Sequence, residues 1–223
     1  MTRELTVARR EPKSGNVASA VVFLHGYGAN GADLMGLADP LAEHMPDTLF
    51  LAVDAPETCV NNPMGYQWFP IPHMDGSDPQ AAGASFAQSV DDLNAFLDHM
   101  LLQERLEHKQ VILLGFSQGT MMSLHVAARR SAPFAGVVGF SGRLLQPERL
   151  AAEVTSKPPV MLLHGDRDPV VPYESMQEAA EPLADNDFDV YTHTMAGAPH
   201  TISPDGLQQA YAFMADALRK AAI

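Results

Sequence analysis

Cysteine is almost absent from this chain: Cys59 is the only one among 223 residues. An intramolecular disulfide is thereby excluded, and so is a zinc site built on thiolates. Cys59 follows the turn Asp54-Ala55-Pro56 with no helix start beside it, so it reads as an ordinary thiol. Positive charge is scarce too. Fourteen lysines and arginines stand against 27 aspartates and glutamates, a formal net charge of −13 and a pI near 4.9. That balance argues against nucleic acid or an anionic membrane surface as a partner. No apolar run approaches the roughly 20 residues that a membrane span requires. Residues 1–13 are charged and lack an apolar stretch, so no secretory signal is expected. A soluble cytoplasmic protein is the simplest expectation. Linkers, charge blocks, low-complexity runs and internal repeats are missing as well. With 46% hydrophobic residues, the length suits one large domain over residues 1–223 with a single core.

What is present is an alternation of two periods. Apolar runs at residues 19–25, 48–53, 111–114, 135–140, 159–164 and 188–195 read as strands, and residues 5–8 read as a short edge strand. Helical spacing occupies the intervals at 31–45, 83–107, 118–128, 147–154 and 173–184. A final helix opens at Ser203-Pro204-Asp205, an N-cap serine followed by proline at the first helical position. The pattern predicts an α/β fold with a mainly parallel central sheet and helices on both faces. Ligands in such sheets bind beyond the carboxyl ends of the strands.

The most informative stretch is Gly115-Phe116-Ser117-Gln118-Gly119, set between a strand and a helix. Gly-x-Ser-x-Gly in that setting is the nucleophile elbow. The turn strains the serine backbone and brings the residues two before and two after it so close that a Cβ would collide. It also places a helix N-terminus behind the serine, where a developing negative charge is favoured. The competing reading is a tight turn whose serine caps the helix. An acid and a histidine in the right order decide between them.

Both follow. Asp168 lies just past the strand ending at His164, and His200 lies in the loop Ala196-Gly197-Ala198-Pro199-His200 after the last strand. Ser, Asp, His is the chain order of α/β-hydrolases. Asp168 is favoured over Asp166, which reads as a turn-capping carboxylate. His125, His164 and His193 lie within or at the ends of elements and read as packed or hydrogen-bonded histidines; His44, His99 and His108 read as helix-surface residues. No two histidines have metal-ligand helical spacing, so no zinc site is expected. Serine needs a base to become a nucleophile, and His200 oriented by Asp168 supplies one. The tetrahedral oxyanion needs N–H donors. The backbone N–H of Gln118 is one, and the second belongs to the loop His25-Gly26-Tyr27-Gly28.

Leu24-His25-Gly26-Tyr27-Gly28, Gly115-Phe116-Ser117-Gln118-Gly119 and His164-Gly165-Asp166-Arg167-Asp168-Pro169-Val170-Val171-Pro172, with the histidine loop, resemble the phospholipase/carboxylesterase family. Trp68-Phe69 and Ser141-Gly142 also match segments of that family, so the resemblance spans nearly the whole chain in order. It implies the α/β-hydrolase fold, a Ser117/Asp168/His200 triad, and an oxyanion hole from the N–H groups of Tyr27 and Gln118. Tyr27, Pro70 and Thr120 stand where the family often has leucine, aspartate and glycine. Those departures bear on substrate preference rather than on the chemistry.

Residues 55–82 form a long irregular segment with five prolines and several large apolar side chains. Its position predicts a wall for the acyl pocket, with Met64, Trp68, Phe69 and Ile71 as substrate-binding residues. The competing expectation is that Trp68 and Phe69 pin the loop to the sheet. Together these readings predict a cofactor-free serine hydrolase of small-molecule esters or thioesters, with lipid esters and acylated proteins as further substrate classes. The resemblance also makes a homodimer plausible. A peptidase on the same fold is a weaker alternative, since no additional domain is there to position a peptide. So is a catalytically silent binding protein, which has no need of all three triad residues.

Overall fold

The computed structural model describes residues 2–221. Nine strands and eight α-helices follow one another along the described residues. They are β1 (Val7–Arg10), β2 (Ser19–Leu24), α1 (Gly31–Met35), α2 (Ala38–Ala42), β3 (Thr48–Val53), β4 (Glu57–Thr58), β5 (Tyr66–Gln67), α3 (Pro72–Asp75) and α4 (Pro79–Glu104). Then come β6 (Val111–Phe116), α5 (Gln118–Ala127), β7 (Gly136–Phe140), α6 (Pro147–Glu153), β8 (Val160–Gly165), α7 (Glu174–Asp185), β9 (Val190–Met195) and α8 (Pro204–Ala221). Seven strands form one sheet in the order β1-β3-β2-β6-β7-β8-β9. Every pairing is parallel except that of β1 with β3 at the edge. This is the mainly parallel α/β architecture expected from the alternating periods.

The period of two in the strands sorts side chains onto opposite faces. In β2, Ala20, Val22 and Leu24 join one core with Leu93, Leu97 and Met122 of the α4 and α5 side. Val21 and Phe23 join the other, with Leu34, Leu41 and Met214 from α1, α2 and α8. All six residues of β2 are buried, as a central parallel strand requires.

Three local readings are corrected. The helical spacing over residues 31–45 is realised as two short helices, not one. Pro40 has no N–H to give the carbonyl of Gly36 four residues back, and its ring crowds that carbonyl. The long helix begins at Pro79, not Gly83, because Asp78 caps it by accepting from the Ala81 N–H at 2.8 Å. It ends at Glu104, where Arg105 turns left-handed (φ 56°). Residues 55–82 contain more order than their proline content suggests. They hold the β4–β5 ribbon, α3 and the first turn of α4.

Trp68 fixes that segment to the sheet. It is fully buried, its indole N–H donates to the His25 carbonyl at 3.0 Å, and its backbone N–H donates to the Gln118 side chain at 2.8 Å. Ser89 on α4 closes the arrangement by donating to the Trp68 carbonyl. Trp68→Ala should therefore lower stability by about 3–5 kcal/mol, the usual range for deleting a buried large aromatic. Urea denaturation measures it, and a change below about 1 kcal/mol would contradict the pinning role.

His125 on α5 carries a second consequence. Its ring meets Phe86 edge-on at 4.8 Å, and its buried Nδ1 has no partner among the described residues. Burial, helped by the nearby Arg129 charge, lowers its pKa to about 4. The unfolded chain takes up that proton near pH 6.5 but the folded chain does not until about pH 4. The contribution is complete above pH 6.5 and is lost as pH falls towards 4, a difference on the order of 3 kcal/mol. Burial shifts His25, His108 and His164 in the same direction, so their effects add to the decline. In His125→Leu, the loss of stability between pH 7.5 and 4.5 should be smaller than in the parent by roughly 2–3 kcal/mol. An unchanged pH slope would mean that His125 titrates normally in the folded state.

Candidate active site

The elbow has the geometry that its glycines require. Ser117 adopts φ 54° and ψ −113°, a strained conformation for a residue with a side chain. A Cβ on Gly115 would collide with the backbone of Gly119 and Thr120, and one on Gly119 would collide with the Leu24 carbonyl. Ser117 makes no capping hydrogen bond to α5, so the alternative of a simple helix cap is not met. Thr120 lies buried behind the turn, its hydroxyl between the carbonyls of Gly115 (2.9 Å) and Phe140 (2.8 Å). It does not line the cavity in front of Ser117.

Asp168 and His200 meet across two loops that follow adjacent strands, β8 and β9. His200 Nδ1 lies 2.6 Å from Asp168 Oδ2. The Asp168 side chain is inaccessible to solvent, and its Oδ1 accepts from the N–H groups of Val170 (2.8 Å) and Val171 (2.9 Å). Desolvation alone would push this carboxyl up. The hydrogen bonds from His200 and the two backbone N–H groups outweigh it and hold the pKa below the ordinary carboxylate value. His164 stands behind the pair, with Nε2 at 3.0 Å from the Val171 carbonyl and 3.3 Å from Asp168 Oδ2. Its burial favours the neutral ring, so His164 itself brings no positive charge against Asp168. Asp166 does something else: its carboxylate accepts from Gly197 N–H at 2.6 Å and ties the two loops together.

Ser117 and His200 line one cavity of about 470 Å³, together with Tyr27 and Gln118. A hollow of about 630 Å³ at the opposite end of the strands, near Thr48 and Gln110, is larger, but no hydrogen-bonded acid–histidine pair reaches it. The backbone N–H groups of Tyr27 and Gln118 have no acceptor among the described residues. They are therefore available to an oxyanion. The Tyr27 loop is held from behind. The buried His25 accepts the Ala55 N–H on Nε2 at 2.9 Å, and its Nδ1 lies 2.7 Å from the Gly26 carbonyl, which fixes the neutral tautomer with the proton on Nδ1. Burial lowers the His25 pKa and supports that neutral state. The Tyr27 hydroxyl donates to Asp75 at 2.9 Å, tying the loop to α3.

The four expected wall residues divide evenly. Phe69 and Ile71 line the cavity. Met64 does not: it is 86% exposed, on the outer turn of residues 61–65. Trp68 does not either, because its hydrogen bonds to His25 and Gln118 draw it into the core beneath the cavity. The sequence reading did not include Pro70, Met74, Arg143, Leu145 or Val170 in the lining. Proximity to the elbow in space, which those positions share, leaves no local trace in the chain. It also passed over the Gln118 side chain, which accepts from Trp68 N–H and donates to the Phe69 carbonyl at 2.7 Å.

A model of the phospholipase/carboxylesterase family matches residues 6–218. The chain belongs to this family. As a member it is a hydrolase with the α/β-hydrolase fold. Acyl-protein thioesterase 1 of Mycosarcoma maydis is 30% identical over 223 aligned positions, covering 91% of this chain and 93% of that protein. Acyl-protein thioesterase 1 of Gibberella zeae is 27% identical, covering 91% and 92%. Among solved structures, esterase PE8 superposes with a TM-score of 0.91 at 40% identity, covering 96% of this chain and 99% of that one. Among the described residues no helix is long and apolar enough to cross a membrane.

The Gln118 clamp is testable apart from catalysis. Gln118→Ala keeps the backbone N–H but strands the Trp68 N–H and the Phe69 carbonyl, at about 1–3 kcal/mol for each group left unpaired. The urea midpoint should fall accordingly, and an unchanged midpoint would show that the clamp contributes nothing to this phospholipase/carboxylesterase fold.

Proposed function

We propose that this enzyme hydrolyses carboxylic esters or acyl thioesters through an acyl-enzyme on Ser117. The observation that carries the reading is the 2.6 Å contact between His200 and the buried Asp168 carboxylate, with His200 facing the same cavity as Ser117. His200 Nε2 takes the Ser117 proton as Oγ attacks the acyl carbon. It then gives that proton to the departing alcohol or thiol. Asp168 keeps the Nδ1 proton in place and stabilises the imidazolium. Tyr27 and Gln118 N–H groups receive the tetrahedral oxyanion, each worth about 3–4 kcal/mol of transition-state stabilisation. Water, activated by His200, reverses the sequence and frees the acid. No cofactor enters this cycle.

Apolar side chains, among them Phe69, Ile71 and Met74, supply most of the cavity wall, which suits an aliphatic acyl or alcohol group. The named relatives include two acyl-protein thioesterases and an esterase, which supports esters and thioesters alike as substrates of this chain.

Ser117→Ala should lower kcat on p-nitrophenyl esters by at least about 10³-fold and abolish labelling by a fluorophosphonate. Asp168→Asn should cost on the order of 10⁴ in kcat, because His200 then holds the wrong tautomer. Asp166→Asn should cost much less. Stopped assays with these folded variants decide the matter: full labelling of Ser117→Ala, or equal losses at Asp166 and Asp168, would sink the assignment.

A further inference from the structure

Eleven of the 14 lysines and arginines are ion-paired with carboxylates. Arg105, Arg143 and Arg167 are the three that have no such partner among the described residues. Of these, Arg143 alone lines the cavity that holds Ser117 and His200. It is also the only arginine or lysine in that lining.

Its position follows from the elbow. A Cβ on the preceding Gly142 would collide with Thr120 and lie 2.8 Å from the Ser117 carbonyl oxygen. Arg143 therefore leaves the backbone right beside the nucleophile turn. Its side chain is exposed, and its one hydrogen-bond partner among the described residues is Ser175 Oγ at 3.5 Å, the outer limit of such a contact. Most of the guanidinium donors are thus unspent. In a chain of net charge −13, acids are at hand for nearly every other cation. A permanently charged fork left open at an otherwise largely apolar cavity is complementary to a carboxylate or phosphate brought in by the ligand.

We infer that Arg143 forms an anion subsite, so that the preferred substrates are esters or thioesters carrying a carboxylate or phosphate near the scissile carbonyl. The inference rests on the ester-hydrolase reading above and adds the substrate's charge to it. The anion has two sources, a carboxylate at the far end of the acyl chain or a phosphate on the alcohol. One chemistry serves both.

The test compares kcat/KM within two matched pairs: the mono-p-nitrophenyl ester of glutaric acid against p-nitrophenyl pentanoate, and butyryl glycerol 3-phosphate against monobutyrin. Arg143→Gln should lower the anionic-to-neutral ratio by about 10–100-fold in at least one pair, the range for losing a hydrogen bond to a charged group. Arg143→Lys should retain part of the ratio. Arg143→Met serves as the second variant should the glutamine variant lose its fold. The pair that responds identifies the source of the anion. Ratios equal in parent and variants for both pairs, with neutral esters still cleaved and Ser117 still labelled, would overturn the anion subsite alone. Absence of ester turnover and of Ser117 labelling in the parent would overturn the hydrolase reading and the subsite with it.

Discussion

The contact between Gly119 and the Leu24 carbonyl sets the tolerance for everything in front of the sheet. No side chain fits between the first turn of α5 and the end of β2, so the two elements meet backbone to backbone. That approach places the Gln118 N–H beside the His25–Gly28 loop, and it holds Ser117 at a positive φ that a looser packing would release. The strain is sustained by burial on every side: all ten residues of α5 are buried. Stability of the core and the strained conformation of Ser117 are therefore tied together in this protein, supplied by the same helix.

The charges are arranged with similar economy. One carboxylate, Asp168, is sealed from water and has hydrogen-bond donors on both oxygens. The histidine behind it is kept neutral by burial, as is His25 behind the Tyr27 loop. His25 is a two-sided connector between the Ala55 N–H and the Gly26 carbonyl, whereas His164 uses a single nitrogen, Nε2, towards the Val171 carbonyl and Asp168. Two histidines, His73 and His200, line the cavity, and of these His200 is the one hydrogen-bonded to a carboxylate among the described residues.

How much of this was legible depended on the range of the interaction. The strands were readable because burial on both faces writes itself as continuous aliphatic runs, as in Val21-Val22-Phe23-Leu24. The elbow was readable because two glycines and a serine must sit at fixed spacing. The break at Gly36–Leu37, caused by Pro40 further on, was also written locally, yet the apolar spacing across it looked uninterrupted. Trp68 was ambiguous for another reason. Whether an aromatic in a loop faces a ligand or the core depends on partners 43 and 50 residues away, His25 and Gln118. Arg143 had no signature at all, since an arginine after a strand looks like any surface charge until its neighbours are known.

Trp68 is the only tryptophan in the chain. Because its ring is buried and hydrogen-bonded to the His25 carbonyl, the indole emission of the whole molecule originates at that single junction. The protein thus carries a built-in optical reporter at the point where loop, elbow and long helix meet, free of any background from elsewhere in the fold.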